Sequence, residues 1–153
     1  MSLNRKTVGK KYAGTPPFDV SRQKIREFAA AIGDASPVYA DVDLARSLGH
    51  RDLPAPPTFA SVIALSMGRG PREDPEIGLD YSRVVHGEQR VLQHRPIYAG
   101  DALSGETSVA DIRVGGRNEL LTLTCDLATP DGEPVCQVTT VLVSLGTAPG
   151  EEG

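Results

Sequence analysis

A chain of 153 residues has the size of one domain and can bury most of its apolar surface without disulfides or metals. Hydrophobic residues make up 39% and charged residues 24%, both ordinary globular values, and no segment approaches the roughly 18 consecutive apolar residues of a membrane span. The formal charge of -4 is spread evenly, with no basic stripe for a phosphate backbone, which argues against nucleic acid as a partner.

Met1 to Lys10 carries Arg5 and Lys6 but no apolar run behind them, so neither a secretory signal nor a transit peptide is expected, and the cytoplasm is the expected compartment. Ser21 can cap a helix in which Ile25, Phe28, Ala29 and Ile32 recur on one face, and Gly33 supplies the left-handed residue that ends it. Asp43 to Leu48 predicts a shorter helix, closed by Gly49. Arg51 to Pro57 holds three prolines and reads as an irregular overhanging loop. From Thr58 to Met67 the apolar side chains cover much of the helix circumference, the pattern of a central helix buried nearly all round, with Pro57 at its start.

After the breaker-rich stretch Gly68 to Pro75 the period changes to two. Leu103, Gly105, Thr107 and Val109 alternate, as do Leu121, Leu123, Cys125 and Leu127, with turns at Gly115-Gly116 and Asp131-Gly132. Val135 to Leu145 predicts a last β-branched strand, and an exposed strand there would pair edge to edge with a second sheet in a dimer. Residues 1–146 form the expected domain and 147–153 a disordered tail. Helices followed by long antiparallel strands describe an α+β fold in which a curved sheet wraps a central helix. Cys125 and Cys136 sit in strand-like segments and read as reduced core residues; their spacing suggests no metal site, and no cofactor is expected.

The segment from Ile32 to Asp41 (Ile-Gly-Asp-Ala-Ser-Pro-Val-Tyr-Ala-Asp) resembles the hydratase signature of the MaoC-like hot-dog dehydratases and (R)-specific enoyl hydratases. Ala55-Pro56-Pro57-Thr58 and Arg95-Pro96-Ile97-Tyr98-Ala99-Gly100-Asp101 resemble the family as well, so the similarity runs roughly from Ser21 to Leu145. The resemblance implies a dimeric hot-dog domain and the reversible syn hydration of a trans-2-enoyl thioester carried on ACP or CoA. An acid/base pair must then reach one face of the substrate, and a backbone N–H must meet the enolate oxygen.

Both catalytic parts are degraded. Asp34 matches the motif Asp, but Tyr39 stands where the family has His, and a phenol with a reference pKa of about 10 is a poor base at neutral pH. The family's oxyanion Gly falls 23 positions after the motif Asp, at Pro57, which has no N–H. The pattern is similar to the HadA-like, non-catalytic subunits of heterodimeric (3R)-hydroxyacyl-ACP dehydratases, which implies an acyl-binding chain that needs a catalytic hot-dog partner.

The resemblance places Ser36, Ala55, Pro56, Pro57 and Thr58 at the substrate, with Phe59 and Val62 along an acyl tunnel. His86 is a candidate replacement base, with Glu88 two residues on along the same expected strand face, and His94 lies in the same run. Two alternatives stand beside this reading: a hot-dog thioesterase using Asp34 or Glu88, and a non-enzymatic acyl-thioester-binding dimer.

Overall fold

In the computed structural model, which describes residues 1–149 apart from the side chain of Thr15, helix α1 spans Arg22–Ala31. Ser21 Oγ accepts the Lys24 N–H at 3.1 Å, Ile25 and Ala29 are buried, and Gly33 leaves the helix at φ +73°, so both ends follow the expectation. Helix α2 (Val42–Ser47) begins where Asp41 Oδ1 accepts the Leu44 N–H at 3.0 Å. The loop after it is irregular, but Pro54 bridges to Tyr98 and the Ala55 N–H donates to Ile97 O at 2.7 Å.

Helix α3 is Phe59–Met67. Pro57 does not begin it. The Phe59 N–H donates to Pro56 O at 2.9 Å, which makes Pro57 the second residue of a β-turn before the helix, another position that its fixed φ suits. Nor is α3 buried all round: Phe59, Ala60, Ile63, Ala64 and Met67 face inward, whereas Val62 is 38% and Leu65 56% exposed. The sheet packs on one side of the helix only. The breaker-rich stretch also holds a short helix, α4 (Arg69–Glu73), because Pro71 falls in its first turn, where a missing N–H has no partner to lose.

Among the described residues, five antiparallel strands form one sheet: β1 (Lys11–Asp19), β2 (Val84–Gln93), β3 (Ala102–Gly115), β4 (Asn118–Ala128) and β5 (Pro134–Ser144), in the order β1-β3-β4-β5-β2. The sequence did not announce β1, since Pro16-Pro17 reads as a breaker. As an edge strand β1 pairs only with β3, and its register slips between Gly14 and Phe18, where the prolines sit. β5 is not the exposed edge that was expected to pair with a second sheet: it lies between β4 and β2, so the free edge on that side belongs to β2.

The sheet curls round α3, which packs on β1, β3, β4 and β5, and the fold is the hot-dog type that the resemblance implies. One core gathers Phe59, Ile63, Leu103, Leu127 and Val138; a second gathers Leu3, Ile77, Ile112, Leu121 and Leu142. Cys125 and Cys136 are free and buried. Burial, with a contribution from Cys125, pushes the Cys136 thiol up to about 11. Thr147 and Ala148, assigned above to a disordered tail, instead belong to the domain. Thr147 is buried and accepts from Ser2 Oγ at 3.0 Å, and the Ala148 N–H donates to Arg117 O. Residues 150–153 of that tail lie outside the described residues. Among the described residues no helix is long and apolar enough to cross a membrane.

Candidate functional site

The hydratase-like motif forms an exposed ledge after α1. The Asp34 N–H donates to Ala29 O at 2.9 Å, and Asp34 Oδ1 accepts the Ser36 N–H at 3.0 Å, closing a turn that leads into a single 3-10 turn at Pro37–Tyr39. Arg26 donates through Nε and Nη2 to Ala40 O at 3.1 and 3.0 Å and holds the ledge down. Asp34 and Ser36 are exposed. Tyr39 is half-buried and packs on the first core. Burial and the nearby charge of Asp34 raise its pKa further, so at neutral pH the phenol is a hydrogen-bond donor and not a base.

Asp101 ties the neighbouring loops. Arg95 donates to it through Nη1 at 2.9 Å and Nη2 at 3.0 Å, the Tyr98 N–H donates to Oδ2 at 2.8 Å, and Arg51 completes the cluster. Burial opposes ionisation of this 5%-exposed carboxyl, but the hydrogen bonds from Arg95 and Tyr98 and the two positive charges outweigh it and hold the pKa below the usual carboxylate value. Arg95 Nε also reaches Glu133 at 2.6 Å, and His50 Nδ1 lies 3.0 Å from the Tyr98 hydroxyl. The Arg95–Asp101 segment that resembles the family is thus a clamp on the loop that leads to Pro57.

A cavity of about 330 Å³ lies between α3 and the concave face of the sheet, within the size range of small-molecule sites. Thr107, Leu123, Cys125, Val138 and Leu142 form its inner wall, Ala64 and Gly68 its helix side, and the exposed Leu65, Tyr81, His86 and Gln89 its mouth. A polar chain crosses the mouth: His86 Nε2 is 2.8 Å from Gln89 Oε1, Thr140 Oγ1 donates to the same oxygen at 3.1 Å, and Gln89 Nε2 donates to Ser61 Oγ at 3.4 Å.

His86 therefore reaches a cavity, but Glu88 does not share its face. His86 pairs with Leu142 and Glu88 with Val141, two neighbours that point to opposite faces, so the bulge at Gly87 turns Glu88 outward, where it meets Arg90 at 2.8 Å. His94 lies past the end of β2 and is exposed. Asp34, Ser36 and Tyr39 line a separate groove with Arg26 and Ala29. Ala55, Pro56 and Phe59 are buried, while Pro57, Thr58 and Val62 are exposed, and none of the six lines the cavity. Ser61, Gln89 and Thr140 had no sequence signal as a group; Thr107 stood in the alternating run of β3 as one inward position among several.

This architecture is that of the MaoC-like dehydratases and their hot-dog relatives. Residues 6–138 match the family model for the FAS1-like dehydratase domain region, and the chain belongs to that family. A UPF0336 protein of Saccharopolyspora erythraea is 46% identical over 153 residues, covering 100% of this chain and 98% of the relative. A UPF0336 protein of Parafrankia sp. is 50% identical over 150 residues, covering 97% of this chain and 99% of the relative. Among solved structures, a MaoC-like dehydratase superposes with a TM-score of 0.84 at 33% identity over 91% of this chain, which spans only 42% of that longer chain. The HadBC (3R-hydroxyacyl-ACP dehydratase) complex of Mycobacterium tuberculosis superposes with a TM-score of 0.82 at 26% identity, covering 92% of this chain and 99% of the other.

Proposed function

We propose that this chain is the acyl-binding subunit of a cytoplasmic (3R)-hydroxyacyl-thioester dehydratase of fatty-acid metabolism, acting on acyl-ACP or acyl-CoA and dependent on a catalytic hot-dog partner. The observation that carries the reading is the separation of two parts within one chain. The apolar cavity is intact, while the acid–base ledge opens elsewhere and has a protonated phenol in place of a base.

Dehydration takes a proton from C2 and a hydroxyl from C3, which leaves as water once protonated, and it develops negative charge on the thioester oxygen. Asp34 offers one carboxylate. Tyr39 cannot take the proton, and Pro57, in its turn before α3, cannot donate to the oxygen. A partner that brings an intact Asp, His and Gly N–H supplies both missing parts. Similarity to a chain of a two-protein dehydratase complex supports such a pairing, and the free edge of β2 offers a sheet for the partner to extend. The thioesterase alternative is less supported, because it needs a carboxylate of this chain at the thioester and none lines the cavity among the described residues, whereas in the favoured reading the partner supplies acid and base.

The test is purification from native cells, identification of the co-purifying chain, and hydration of crotonyl-CoA by each chain alone and by both. Negligible turnover alone and clear turnover together is the expected result. Turnover by this chain alone, unchanged by the partner, overturns the proposal; acyl-CoA binding without turnover in any assembly identifies a non-enzymatic binder instead.

A further inference from the structure

Thr107 sits on the concave face of β3, opposite Cys125 of β4, and is 2% exposed. It lines the cavity, yet Oγ1 makes no hydrogen bond to any described residue. The Cys125 thiol beside it is a weak acceptor, its pKa raised by burial and only eased back by the Thr107 hydroxyl. A hydroxyl buried with no better partner than this thiol is destabilising, and the same strand face carries the buried Val109 two residues on, so bulk alone does not require an oxygen here. The rest of the inner wall is apolar: Leu123, Val138 and Leu142 face the same space.

We propose that the cavity takes an acyl chain carrying an oxygen function, a hydroxyl or a ketone, at the end remote from the thioester, and that Thr107 reads this oxygen. The inference rests on the acyl-binding reading above and names its substrate class. The exposed mouth at Tyr81, His86 and Gln89 keeps the thioester and its polar carrier outside, so the tail enters first and its far end meets the buried wall. An apolar cavity of about 150 Å³ takes one benzene, so 330 Å³ accommodates a chain of roughly ten to a dozen carbons. Threonine's hydroxyl both donates and accepts, which suits either oxygen function. A plain methyl end leaves Thr107 as unpartnered in the complex as in the free protein, the situation in which a site built for a hydrogen bond discriminates against the analogue that lacks it.

The experiment is calorimetric titration of the native assembly with decanoyl-CoA and with decanoyl-CoA hydroxylated at the last or next-to-last carbon. At least one hydroxylated probe should bind roughly three- to tenfold tighter than the plain chain, the worth of one net hydrogen bond. Thr107→Val should bring the ratio to about one, and Thr107→Ser should keep it. Because each ratio is read within one protein, partial misfolding of a variant does not alter it. Equal or reversed affinities in the wild type, or a preference that survives Thr107→Val, overturn the role of Thr107 and leave the acyl-binding reading standing. Binding of none of the probes overturns both.

Discussion

The ledge from Gly33 to Asp41 and the cavity beneath α3 are made of opposite materials. On the ledge the polar groups are spent locally: Asp34 on the Ser36 N–H, Asp41 on the Leu44 N–H, Arg26 on Ala40 O. In the cavity the wall is apolar, the polar side chains gather at the mouth, and the buried exception, Thr107, is unspent. On the acyl-binding reading proposed above, the two regions differ in how easily each is lost. Proton transfer depends on one or two groups at hydrogen-bond distance, so a single replacement of a base by a phenol is enough to remove it. An apolar cavity is defined by many side chains together and tolerates exchange of any one.

The largest change in behaviour should come from rebuilding the ledge. Tyr39→His with Pro56→His and Pro57→Gly should raise crotonyl-CoA hydration by the chain alone by a factor of roughly 10²–10⁴, the usual contribution of a general base, and by more than the separate changes multiplied. An unchanged rate, followed by loss of enoyl absorbance, would mean that the ledge is out of reach of bound substrate.

A smaller effect comes from filling the cavity. Ala64→Phe adds a ring from α3 into the space and should weaken decanoyl-CoA binding tenfold or more, with the circular dichroism spectrum retained, whereas Asp34→Asn should leave that affinity within twofold. Equal sensitivity to both changes would erase the separation between the two regions.

The smallest effect is on stability. Hydrogen bonding from Arg22, against the opposing effect of burial, holds the Asp52 carboxyl in the loop after α2 at about 2 instead of 3.8. A carboxylate with a depressed folded pKa stabilises above its unfolded pKa and loses that contribution as pH falls through the folded value. Urea midpoints should therefore be flat in this respect above about pH 4 and fall between about pH 4 and 2. Asp52→Asn should remove less than about 1 kcal/mol of that slope, because Arg22 is half exposed and screened.

What could be read in the sequence was local. Ser21 and Gly33 mark the ends of α1 because a cap and a left-handed residue act within one turn, and the glycine turns of the last strands act over a similar span. β1 was hidden because Pro16-Pro17 is tolerable only in a strand whose other side is unpaired, which is a property of the whole sheet. Arg51 and Asp101 stand fifty positions apart, and nothing in either neighbourhood predicts their pairing. The departure from the family pattern at Tyr39 could be read directly, but the turning of Asp34 and Tyr39 away from the cavity beneath α3 depends on where α1 and α3 lie in space. His86 and Glu88 were misassigned to one face because strict alternation fails at a bulge.

That bulge sets shape independently of chemistry. Gly87 is an extra residue in β2, and a Cβ there would crowd Val143 Cγ2 at 2.8 Å. His86 and Glu88 already face opposite ways across it, so a strand shortened by that one residue would keep every side chain on the face it now occupies. The strand would lose the local bend and extra twist that a bulge adds. A single-residue deletion would thus leave the rim's composition intact and move its position, flattening the outer strand and carrying His86 and Gln89 with it. The aperture of the cavity is in this sense measured in backbone length, by one residue of slack in the edge strand.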